Sequence, residues 1–126
     1  MRMRLELVPL PSADVERSKA FYADRVGFTL DHDVEPGNGM RVVQLTPPGS
    51  GCSIVIGVGI SAPDAAPVQN LHLVVDDLEA VRATLLGNGV EVSAVSDLGG
   101  GIRHAYFSDP DGNSWVLQQI SRPDAP

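Results

Sequence analysis

The chain repeats itself. Asp14-Val15-Glu16 and Asp77-Leu78-Glu79 carry one pattern 63 positions apart, half the length of a 126-residue sequence. Met40-Arg41 and Ile102-Arg103 carry a second, 62 apart. At these offsets Leu7 stands opposite Asn70, Pro9 opposite His72, Ile54 opposite Val116, and the turn 47–51 opposite 109–113. A unit of about 60 residues buries too little surface to be stable alone, so two such units must share a core. The repeat predicts an α+β fold of two tandem modules, each a strand, a helix and three further strands.

The local signals fit that plan. Leu5 to Leu10 is short and apolar, with Pro9 suited to a strand end. Asp14 is the expected N-cap of a helix whose inner side carries Val15, Ser18, Phe21, Tyr22 and Val26, and Gly27 ends it. Strands are predicted at 28–32, 40–46 and 52–58, with the Asn38-Gly39 pair as a hairpin turn. Ser61 to Pro67 is small and Pro-rich and reads as a linker. The pattern then restarts. A strand at 70–75 leads into a helix capped by Asp76 or Asp77, with Leu78, Val81, Leu85 and Leu86 on its inner side. Gly87-Asn88-Gly89 stops that helix. Strands at 90–95, 102–107 and 114–120 complete the module, with Gly99 to Gly101 as a flexible turn. The boundaries are 1–60 for the first module, 61–67 for the linker, 68–121 for the second module and 122–126 for a disordered tail.

The hairpin from Phe107 to Trp115 holds Asp109-Pro110-Asp111-Gly112-Asn113, five turn formers in a row. Turn chemistry alone accounts for them. The expectation is a surface hairpin that fixes the register of its two strands.

Charge and cysteine content exclude several classes. The formal net charge is −7, the reverse of what a nucleic-acid groove needs. No apolar run reaches the ~20 residues that span a bilayer, and Met1 to Glu6 lacks the apolar core of a signal peptide. The single cysteine, Cys52, cannot form an internal disulfide, which fits a reducing cytoplasm. It reads as a small strand residue.

Two stretches carry a family resemblance. Asp14-Val-Glu-Arg-Ser-Lys-Ala-Phe-Tyr22 followed by Val26-Gly-Phe28 resembles the first helix of the vicinal oxygen chelate superfamily. Phe107-Ser-Asp-Pro-Asp-Gly-Asn113 resembles its last hairpin. The superfamily includes glyoxalases, bleomycin and fosfomycin resistance proteins, methylmalonyl-CoA epimerase and extradiol dioxygenases. The resemblance implies two βαβββ modules curled into a cup-shaped mixed sheet with helices outside, and a homodimer. It also implies a divalent metal held from the first and last strands of each module. Its ligand positions fall on Leu7, Ile54, Asn70 and Val116. Three hydrocarbons and one amide offer no carboxylate, imidazole or thiolate. No metal and no other cofactor is therefore predicted.

Strand alternation assigns the remaining cup residues. The first module is expected to supply an apolar wall of Leu7, Pro9, Val42, Ile54 and Ile56, with Gln44 beside it. The second is expected to supply Asn70, His72, His104, Tyr106, Val116 and Gln118. Phe107, Trp115 and Leu117 pack under the helices instead. An apolar wall facing a few convergent polar groups suits a small, partly apolar organic molecule. Tyr106 could stack on it, and Asn70, His72, His104 and Gln118 could orient it. An enzyme is the alternative reading: a lyase, isomerase or dioxygenase of the superfamily, with His72 or His104 as acid or base, or with a relocated metal. A module that binds no ligand is a third. The Pro-rich linker permits a cup closed within one chain or between two chains.

Overall fold

A computed structural model describes residues 1–121. The expected tail, 122–126, lies outside the described residues. The first module runs β1 (Leu7–Pro9), α1 (Val15–Ala20), β2 (Thr29–Gly37), β3 (Met40–Thr46) and β4 (Ser53–Val58). The second runs β5 (Leu71–Val74), α2 (Leu78–Gly87), β6 (Ser96–Gly99), β7 (Ile102–Ser108) and β8 (Ser114–Ile120). Each forms a four-stranded mixed sheet, ordered β1-β4-β3-β2 in sheet A and β5-β8-β7-β6 in sheet B. In both, the first strand joins the last in parallel and the other neighbours are antiparallel.

Local chemistry sets the element ends. Asp14 and Asp77 are extended, and each side-chain carboxylate accepts a backbone N–H three residues on, from Arg17 and Ala80. Asn38 and Gly39 both take positive φ, 55° and 74°, which is the two-residue turn that matches strand twist. Beyond Ala20 the first helix widens into a π-helical segment, Phe21–Val26. Tyr22 C=O accepts from both Gly27 N–H and Phe28 N–H, and left-handed Gly27 ends the helix. Phe21 and Tyr22, adjacent at the start of that segment, are both buried.

Among the strands, two expectations fail. The strand expected at 90–95 does not form: Ser93 N–H donates to Tyr106 C=O at 2.9 Å, but β6 starts only at Ser96. Val90 and Val92 are buried as expected of strand residues. However, Tyr106 N–H donates to the Ser93 hydroxyl, so a side chain takes the place of a ladder carbonyl. The second failure is larger. Ile54 and Ile56 do not face the cup; both lie in the core with Val43 and Leu45. Leu45 pairs with Ile54 and Val43 with Ile56, so those four share a face. The physical reason is a turn length. Six residues separate β3 from β4 and five separate β7 from β8. The repeat offset therefore changes by one across that turn, and one residue of slip reverses a strand's faces. Ser53 and Val55 take the outward positions.

The helix side of each sheet feeds a single core. Phe21, Tyr22 and Phe28 from the first module pack with Phe107, Trp115 and Leu117 from the second. Tyr22 stacks on Phe28 at 5.4 Å and meets Trp115 edge-on at 5.9 Å. Such ring pairs add about 0.5–1.5 kcal/mol beyond area burial. The hairpin 109–113 is no mere surface turn: Asp109 and Asn113 are buried. The Tyr22 hydroxyl donates to Asp109 Oδ2 at 2.6 Å and accepts from Trp115 Nε1 at 3.0 Å. Asn113 Nδ2 donates to Asp109 Oδ2 and to Pro11 C=O, at 2.8 and 3.0 Å. Asp111 accepts from Ala13 N–H and the Ser18 hydroxyl. The last hairpin thus clasps the first helix across the module boundary.

One core joins the two helix sides, so the opposite face of each sheet lies outside it.

Candidate ligand site on the outer face of sheet B

Along β8, Trp115 and Leu117 point into the core, so Val116 and Gln118 point out. Register carries the rest. His72 lies beside Val116 on β5, Tyr106 opposite Val116 and His104 opposite Gln118 on β7. Five of the six residues expected from the second module therefore share one face, and the sixth, Asn70, precedes β5. Val116 is its buried floor, whereas Tyr106 stays 41% exposed and Val74 69% exposed. On β5, β7 and β8 this face carries no Asp, Glu, Lys or Arg. Arg103, the charged residue of β7, has the opposite parity and pairs with Glu79 of α2 at 2.8 Å.

The polar groups hold one another. The rings of His72 and His104 meet edge-to-face at 5.6 Å, and those of His104 and Tyr106 at 5.9 Å. His104 Nε2 lies 2.8 Å from Gln118 Oε1, and its Nδ1 lies 3.4 Å from the Tyr106 hydroxyl. His72 Nδ1 lies 2.8 Å from Asn70 C=O. A carbonyl only accepts, so Nδ1 carries the proton, and Nε2 is the lone-pair nitrogen of the neutral ring.

Asn70 precedes β5 with a left-handed backbone, φ 61°. Outside glycine that conformation is uncommon, and Asn tolerates it best. Its N–H donates to the Ser114 hydroxyl at 2.7 Å, and that hydroxyl donates to Gln69 Oε1 at 2.9 Å. Beside it opens a cleft of about 770 Å³ lined by Asn70, Tyr106, Ser114, Gln69, Ser93 and Glu91, among others. Ser114 could have been found from its parity with Val116. Ser93 could not, since it lies on the segment misread as a strand.

The first-module residues other than Ile54 and Ile56 lie on the outer face of sheet A. Leu7 pairs with Ser53, Gln44 with Val55 and Val42 with Gly57. Gln44 Nε2 donates to the Ser53 hydroxyl at 3.4 Å. The Thr46 hydroxyl, on the same face, bonds both Ser53 and Asp31. The structure thus splits the expected site into two rows on different sheets, without Ile54 and Ile56.

With the slip at the β3–β4 turn, the metal positions implied by the resemblance hold Leu7, Val55, Asn70 and Val116. The donor set is still three hydrocarbons and one amide, and it does not fit a divalent ion. Among the described residues, no group of three or more His, Cys, Asp or Glu could hold a metal. No helix among them is long and apolar enough to cross a membrane.

Comparison with known proteins agrees with this architecture. The mycobacterial protein CFP32, from Mycobacterium bovis and Mycobacterium tuberculosis, is 28% identical over 117 residues, which are 91% of this chain and 45% of CFP32. The chain thus spans about half the length of these curated relatives. Among solved structures, TnmS3, an antibiotic binding protein from Streptomyces sp. CB03234, is 36% identical with a TM-score of 0.83, covering 95% of this chain and 98% of that one. A glyoxalase/bleomycin resistance protein from the same organism is 37% identical with a TM-score of 0.78, covering 92% and 100%. The family model that matches covers residues 4–117, and the chain belongs to the Glyoxalase/Bleomycin resistance protein/Dioxygenase superfamily.

Proposed function

We propose that this protein binds a small, partly apolar organic molecule on the outer face of sheet B, without a metal ion. The observation that carries the reading is the composition of that face. A chain with a net charge of −7 keeps β5, β7 and β8 free of charged side chains there, and sets His72, His104, Tyr106 and Gln118 around a Val116 floor. Uncharged walls with a few convergent polar groups bury organic ligands at low desolvation cost. The likeness to an antibiotic binding protein supports a binding role.

One half-cup leaves the ligand half in water. A homodimer would complete the site, with Leu7, Val42, Gln44 and Val55 of a second copy closing over it. The exposure of Tyr106 and Val74 in one chain supports that arrangement. The lone Cys52 fits a cytoplasmic setting.

The test is calorimetric titration of chelator-treated protein with a panel of aromatic antibiotics, alongside sedimentation. One ligand per chain in a dimer supports the reading. Stoichiometric tight Zn²⁺, Ni²⁺ or Mn²⁺ that is lost in His72→Ala would overturn its metal-free part. Absence of binding across the panel would overturn the whole.

A further inference from the structure

We propose that the site selects flat, uncharged ring systems bearing a hydrogen-bond donor at their edge, and that His72 Nε2 is the acceptor. The proposal rests on the binding role above. Its basis is the tautomer. Asn70 C=O fixes the proton of His72 on Nδ1 at 2.8 Å, and the left-handed backbone of Asn70, φ 61°, presents that carbonyl. The remaining nitrogen of the neutral ring can only accept. Among the described residues no donor is bonded to it, and His72 is solvent-exposed.

Its neighbours do not compete. His104 is occupied at both nitrogens, by Gln118 and Tyr106. A bound ring that stacks against Tyr106 or the edge of His104 brings its rim toward His72, whose ring centre lies 5.6 Å from that of His104. A donor on that rim meets a lone pair. An ether oxygen there meets a second lone pair and leaves both unsatisfied. A carboxylate meets the same lone pair and finds no Lys or Arg on this face to replace its water.

The experiment compares three probes on the whole chain at about pH 8, where imidazole side chains are ordinarily neutral. They are 2-naphthol, 2-methoxynaphthalene and 2-naphthoate, followed by calorimetry or quenching of naphthalene fluorescence. Naphthol should bind at least tenfold more tightly than the methyl ether, about 1.4 kcal/mol, and naphthoate most weakly. In His72→Phe the ether should still bind while the naphthol advantage falls to within twofold. Thermal melting of that variant checks its fold, and His72→Gln, whose amide oxygen can accept, should recover part of the preference. Equal binding of naphthol and ether by the native protein overturns the donor rule and leaves the binding role standing. So does a preference unchanged in His72→Phe. If no naphthalene probe binds, the donor rule fails, while the antibiotic panel decides the binding role separately.

Discussion

Tyr22 and Asp109 are 87 residues apart in sequence, and the hydroxyl of one donates to the carboxylate of the other at 2.6 Å inside the core. Tyr22 sits in the helix of the first module and Asp109 in the last turn of the second. Both are buried. Asp109 also accepts from the backbone N–H groups of Asp111 and Asn113 and from Asn113 Nδ2. Tyr22→Phe removes one of these bonds and leaves Trp115 Nε1 without its acceptor. Losing a buried partner costs about 1–3 kcal/mol. Urea unfolding followed by Trp115 fluorescence should show that loss at unchanged slope. A change under about 0.5 kcal/mol, the range of an ordinary surface substitution, would mean the clasp contributes nothing.

The same hydroxyl predicts an alkaline limit. Burial, then the charge of Asp109, pushes its ionisation far above the ordinary tyrosine range. In the unfolded chain it titrates near the usual value of about 10. Above that pH the unfolded state sheds a proton that the folded state keeps, so stability falls as pH rises. The stabilisation is complete below about pH 10, and the slope beyond it approaches about 1.4 kcal/mol per pH unit from this group. Chemical unfolding between pH 8 and 11 should show the decline in the native protein and a shallower one in Tyr22→Phe. Parallel curves would contradict the assignment.

Much of the fold was legible in short-range chemistry. Asp14 and Asp77 announce helix starts because a carboxylate can reach the third N–H of either helix. Asn38-Gly39 announces a hairpin because both residues accept positive φ. The shared face of His72, His104, Tyr106, Val116 and Gln118 was legible because β5, β7 and β8 keep strict alternation. Three things were not. The single extra residue in the β3–β4 turn, which reverses Ile54 and Ile56, has no signature in either strand. The Asp109 turn looks like any Asp-Pro-Asp-Gly-Asn hairpin until the helix that covers it is placed. That the helix sides of both sheets merge into one core is a long-range matter that periodicity does not record.

The corrected face of β4 separates stability from binding. Ile56 is fully buried opposite Val43, so Ile56→Ala should cost about 2–5 kcal/mol. Gln44, on the other face, is only partly buried. Gln44→Ala should change stability by no more than about 0.5 kcal/mol and weaken ligand binding. Thermal melts and titrations of the two variants decide it. Had the faces been reversed, Ile56→Ala would lower affinity at little cost in stability.

The two half-cups give the sharpest test of the dimeric site. Tyr106→Ala damages the sheet B half, and Gln44→Trp fills the sheet A half. Each homodimer then has two defective sites. In a mixed dimer one site combines both defects and the other combines neither. After subunit exchange at equal concentrations, half the dimers are mixed, and about one quarter of all sites should be native. Titration should recover that fraction at native affinity. A cup closed within one chain would recover none, because each chain carries its own defect. The measurement therefore reports directly whether sheet B of one copy works with sheet A of the other.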